Sequence, residues 1–271
     1  MFKAILKGSV LLCFSNFENL IKAAGAWTAI LFIFDFIAQM AGFDPWEMND
    51  QPMMQDSADF VFFSLTSAVV QLIAASSVAV AWHRFALLGE RPATIHLRFG
   101  RPEWRYFLYS LLFCLFMLAV LAAVGLMIGF VVLIAFGFTI SNDAITVFDV
   151  LFLIGLVFTA PFFARAGLML PAAAVDQPLG PFRALQFGKG FGWAMVFAFT
   201  VLFIPFLLLS ILFLFVMTLF SAILPQLVVG LQLVLLLGLE QMVLTILLLS
   251  VVTITYAYAR EREEAGGRPD A

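Results

Sequence analysis

Six long apolar stretches, at roughly 22–42, 60–82, 106–136, 147–170, 193–221 and 228–259, alternate along the chain with short polar segments. Each reaches about 20 residues or more, the length an α-helix needs to cross a hydrocarbon layer about 30 Å thick. The pattern predicts an all-α fold: a polytopic membrane helical bundle of six transmembrane helices, forming one domain over residues 1–260.

The two ends of the chain read differently. In "MFKAILKGSVLLCFSNFENLIK", Phe2, Ile5, Leu6, Phe14 and Phe17 recur near helical spacing against polar Lys3, Lys7, Asn16, Glu18 and Asn19. This predicts an interfacial amphipathic helix over 1–21 leading into the first span. No small-residue cleavage site follows, so a signal peptide is not expected. Residues 261–271 are expected to form a short, disordered cytoplasmic tail.

Composition excludes a soluble domain. With 64% hydrophobic and 11% charged residues, 271 residues cannot enclose so much apolar surface. Charge then sets the orientation. If the spans alternate, all fourteen Lys and Arg residues fall on one side of the membrane, together with both termini. The other side carries Asp44, Glu47, Asp50, Asp56, Asp59 and Asp143 with no basic residue. By the positive-inside rule the basic side is cytoplasmic, and its face attracts anionic lipid headgroups although the net charge is −3.

The inward-running spans end alike, in Trp82-His83-Arg84, Phe163-Ala164-Arg165 and Tyr258-Ala259-Arg260. The first two endings lead into connectors that contain Pro, then Phe-Gly-Arg or Phe-Gly-Lys, then Trp104 or Trp193. This predicts three tandem two-helix repeats, each with a cytoplasmic amphipathic connector. The alternative is that aromatic-then-Arg marks any cytoplasmic interface.

The densest polar run, "AWHRFALLGERPATIHLRFGRPEWRYF", holds both histidines, His83 and His96, and five arginines. Its spacing fits no metal-ligand pattern, and the arginines repel a divalent cation, so no metal site is expected. No Walker loop, nucleophile elbow or dinucleotide fingerprint is present, so neither catalytic residues nor a cofactor are expected. Nucleic acid is not an expected partner, because the basic run lacks regular aromatic interleaving. Trp82, Arg84, Arg98, Arg101, Trp104, Arg105, Arg165, Trp193 and Arg260 are expected at the headgroup interface. Cys13 and Cys114 are expected to be packing residues.

Polar residues inside the spans carry the functional expectation. Thr28, Asp35 and Gln39 share a face of span one, Ser64, Ser67 and Gln71 one of span two, and span six holds Glu240, Gln241 and Thr245. An ionisable group at that depth costs about 2.5–3.5 kcal/mol and faces the bundle interior or a wet cavity. A polar pocket among spans one, two and six is expected, with Asp35 and Glu240 binding a cation or passing a proton. The alternative is that both carboxyls are protonated and hydrogen-bonded between helices. Gly125-x-x-x-Gly129 would let another helix approach closely, and Pro161 and Pro205 are expected to kink spans four and five. Span three is longer than a straight crossing requires, so a tilt, or a break near Gly125, Gly129 and Gly137, is expected.

A span ending in "AWHRFALLGE", with a Pro-containing amphipathic connector and a second such connector later, resembles six-helix bacterial inner-membrane proteins. These look like the membrane domain that some proteins fuse to a glycerophosphodiester phosphodiesterase. No phosphodiesterase domain is expected within these residues, so the resemblance implies an inner-membrane location and no hydrolase residues. A non-enzymatic transport or lipid-handling role is the leading expectation. A scaffold assembling a protein partner or homo-oligomer is the alternative. A lipid-active enzyme would require His83 and His96 to converge on a carboxylate.

Overall fold

The first helix ends where two side chains compete for its last carbonyls. Ser15 Oγ donates to Leu11 O, and Asn16 Nδ2 donates to Leu12 O at 3.0 Å, which closes α1 (Phe2–Phe14) before α2 (Phe17–Met40) begins. The expected single helix over 1–21 is therefore two helices, and the first membrane-length apolar segment starts at Phe17. The computed structural model describes residues 1–40, 58–139, 141–221 and 241–266. The further helices are α3 (Ala58–Leu88), α4 (Arg101–Ala135), α5 (Asn142–Ala166), α6 (Met169–Ala174), α7 (Pro181–Phe187), α8 (Gly192–Ser221) and α9 (Gln241–Glu264). No strand occurs among the described residues.

The chain is a multi-pass membrane protein with an all-α bundle fold. Among the described residues, six helices are long and apolar enough to cross a bilayer. Their outward faces carry residues such as Leu126, Phe130 and Phe158, the last 71% exposed, a surface tolerable only against lipid.

The core forms where α3 and α9 cross the bundle. Residues 76–83 of α3 are buried on every side, and its Ala and Ser side chains let α2, α4, α6 and α9 approach closely. From α9, Ile246, Leu247, Ser250, Val251 and Thr253 are buried in the same region.

The buried face of α1 is Ile5, Ser9 and Cys13, four residues apart, packed against α9 near Ile254. Phe14 and Phe17, expected on the apolar face of an interfacial helix, are exposed. Burial holds the Cys13 thiol up at about 11, so it stays a protonated packing group. Cys114 is exposed on α4.

The glycines of α4 serve packing within the chain. A methyl at Gly125 would meet the Phe152 ring at 3.5 Å, and one at Gly129 would meet Phe148 at 3.6 Å. The helix runs unbroken past both and ends just before Gly137 and Phe138, each with φ of +61°. Pro161 and Pro205 lie inside α5 and α8. At the other end of the chain, α9 continues to Glu264, so the tail expected from residue 261 is helical in its first four residues.

Candidate functional site

Helix α6 has only six residues, and its C-terminus organises one end of the bundle. Asp176 takes the left-handed conformation, φ +64°, and Gln177 N–H turns back to Ala172 O at 2.9 Å. That closing turn leaves the Ala173 and Ala174 carbonyls for other donors. Arg105 Nε donates to Ala173 O at 2.8 Å, and Arg84 Nη1 donates to Ala174 O at 3.1 Å. Both guanidinium groups also clasp the Asp176 carboxylate, Arg84 at 2.8 Å, while Arg84 pairs with Glu90 at 2.6 Å. Hydrogen bonds from Arg84 and Arg105 hold the Asp176 carboxyl below its ordinary range, and Arg84 does the same for Glu90.

A third arginine repeats the device nearby. Arg262 of α9 donates to Lys189 O at 2.7 Å and Phe187 O at 2.9 Å, capping α7, and lies 4.7 Å from the Phe191 ring centroid. Residues 84–105, 173–189 and the end of α9 thus meet at one end of the molecule.

A cavity of about 350 Å³ lies between α2, α3 and α9. Its walls are mainly apolar, from Ala24, Leu31, Phe32, Ala74, Val78 and Met242, with Trp27, Thr28, Gln71 and Thr245 as polar points. Gln71 Nε2 donates to Ser67 Oγ at 3.2 Å, and Thr28 Oγ1 donates to Ala24 O at 3.0 Å. The buried indole nitrogen of Trp27 has no partner among the described residues. An unpaired donor beside an apolar wall is suited to a ligand with one polar group and an aliphatic body.

A second cavity, also about 350 Å³, lies between α3, the 89–100 connector and the start of α4. Its charged lining is Arg84, Arg91, Arg98 and Arg101 against Glu90 and Glu103. Glu103 is buried because its Oε2 accepts the Gly100 N–H at 2.8 Å, which fixes the start of α4. His96 lines this cavity, is only 7% exposed, and has no partner on either ring nitrogen among the described residues. Burial pushes its imidazole below the usual histidine range, with Glu103 pulling up and Arg98 pushing down.

The residues singled out from sequence separate into three groups. Gln71 lines the first cavity with Thr28 and Thr245. Asp35 and Gln39 sit in α2, and Gln241 begins α9, but these three side chains and all of Glu240 lie outside the described residues. Arg98, Arg101, Trp104 and Trp193 are exposed, with Trp104 stacked on Phe107 and Trp193 on Phe197. Arg165 donates to Pro161 O within its own helix, and Arg260 pairs with Glu264 within its own.

Two expectations are corrected. Trp82 is not an interface anchor: it is fully buried, and its Nε1–H donates to Ser250 Oγ at 2.9 Å. Arg84 and Arg105 are occupied by Asp176 and the α6 carbonyls rather than facing headgroups. Within the two connectors the Phe-Gly pair sits at different points of the local helices: Gly100 starts one and Gly188 ends one.

The histidines do not share a site. His83 Nδ1 lies 2.7 Å from Thr253 Oγ1, whose hydroxyl donates to Leu249 O at 2.6 Å, so His83 donates from Nδ1. It packs beside Tyr106 and is not part of the cavity that His96 lines. The convergence required for a histidine-based lipid enzyme is therefore not met.

Sequence reasoning passed over Trp27 and Asp176. Trp27 had no distinguishing signal, but Asp176 is an acid in an otherwise basic connector, which could have marked it as an internal partner. Comparison with family models, curated proteins and solved structures returns no match for this chain.

Proposed function

We propose that this chain is a non-enzymatic inner-membrane protein, with both termini cytoplasmic, that handles an amphipathic lipid-type molecule. The observation that carries this reading is the cavity between α2, α3 and α9, which joins apolar walls to Gln71, Thr28, Thr245 and the unpaired Trp27 nitrogen. Its volume falls in the range of about 300–1,000 Å³ typical of small-ligand pockets, enough for part of an acyl chain. None of its described lining residues is ionisable, which favours binding over acid–base or nucleophilic chemistry. The cytoplasmic assignment of the basic end rests on the positive-inside rule.

Purification in a mild detergent followed by native mass spectrometry tests the reading. Ala75 also lines this cavity; wild-type protein should retain a lipid-mass adduct, and Ala75→Phe, which places a ring there, should lose most of it while remaining monodisperse. Equal retention by both proteins would refute the proposal.

A further inference from the structure

The second cavity lies on a different side of α3 from the first and raises a separate question. Its charge is unbalanced. Arg84 is neutralised by Glu90, both of whose oxygens it engages, and by Asp176, but Arg98 and Arg101 form no ion pair among the described residues; the lining carboxylates are Glu103 and Glu90, which also attracts Arg98. One Glu103 oxygen is already committed to the Gly100 N–H. Arg91 adds a further positive charge at the rim.

His96 supplies the independent observation. A buried imidazole normally has a partner on at least one nitrogen, since leaving both orphaned costs about 1–3 kcal/mol per group. Here neither nitrogen has one among the described residues, and the ring lines a cavity whose remaining side-chain donors are guanidinium groups. Together they offer more donors than the one lining carboxylate oxygen not engaged by Arg84 or Gly100 can accept, which suits a tetrahedral oxyanion.

We propose that the cavity bounded by His96, Arg91, Arg98 and Arg101 binds a phosphate group, with His96 donating to one oxygen and the arginines to the others. The phosphate belongs to an anionic phospholipid headgroup or to a free phosphate compound. The site does not depend on the occupant of the α2–α3–α9 cavity, because the two share no lining residue.

Purified protein in maltoside detergent is titrated with inorganic phosphate by calorimetry and with phosphatidylglycerol by native mass spectrometry. Wild type should bind at least one probe, and Arg98→Gln with Arg101→Gln should weaken that binding at least tenfold. Arg183→Gln, an arginine outside the cavity, should leave it unchanged. Lipid binding that inorganic phosphate does not displace identifies a headgroup site, whereas phosphate binding alone identifies a free phosphate compound. A second measurement needs no variant: phosphate or phosphatidylglycerol should protect Arg98 and Arg101 of the wild type from phenylglyoxal. Unaltered binding in the double variant, absence of binding by the wild type, or unprotected modification of both arginines would overturn the proposal.

Discussion

Arg84 and Asp176 lie 92 residues apart in the chain and 2.8 Å apart in the fold. Their contact does more than pair two charges. The same guanidinium caps the Ala174 carbonyl, so one side chain ties the end of α3 to the C-terminus of α6.

Removing either partner should therefore loosen the connector end of the bundle. Arg84 is 21% exposed and Asp176 55%, so solvent screens much of the charge interaction. Arg84→Gln is expected to cost about 1–2 kcal/mol, mostly through the uncapped carbonyl, and Asp176→Asn about 1 kcal/mol or less. A double-mutant cycle by thermal unfolding in detergent should give a coupling of a few tenths of a kcal/mol or more. Strict additivity would contradict the contact.

Acid should weaken the same contact. The Asp176 and Glu90 carboxyls are held below their ordinary values of 3.8 and 4.5. A depressed carboxyl contributes its stability above its unfolded value and loses it as pH falls through the folded one. Unfolding temperature should hold steady above about pH 5 as far as these two groups are concerned and fall below about pH 4. Asp176→Asn should lose part of that fall, and an unchanged acid limb would count against the assignment.

Two tryptophans that read alike in sequence should respond differently. Trp82 is fully buried and bonded to Ser250, whereas Trp104 is 51% exposed. Trp82→Ala should cost about 3–5 kcal/mol, in the range of large-to-small core changes. Trp104→Ala should cost less than about 1 kcal/mol in detergent. Fluorescence quenching by a membrane-soluble quencher should reach Trp104 and spare Trp82.

The G-x-x-x-G segment should prove intramolecular. Gly125→Leu drives a side chain into the Phe152 ring and is expected to cost about 1–3 kcal/mol. Size-exclusion chromatography should show no accompanying change in oligomeric state. A shift in oligomer without loss of stability would instead mark an interface between copies.

These contrasts show what the sequence could convey. The six spans were legible because a run of apolar residues has few alternatives in a chain this hydrophobic. Which side of each helix faces inward was not, because lipid accepts large apolar side chains as readily as a protein core does. Hence α1 buries Ser9 and Cys13 while Phe14 and Phe17 face outward. Polarity was the more faithful guide within a span: Thr28, Gln71 and Thr245 line one cavity. Arg84 misled because its charge resembles that of any interfacial arginine, and its partner is 92 residues away.

The most direct test of the functional reading is photo-crosslinking in native membranes with a lipid carrying a diazirine in its acyl chain, followed by peptide mapping. The cavity between α2, α3 and α9 should concentrate label on the peptides holding Trp27, Ala75 and Met242, and Ala75→Phe should remove it. Label confined to outward residues such as Leu118, Leu126 and Phe158, unchanged by Ala75→Phe, would show that lipid only surrounds the bundle and would contradict the account.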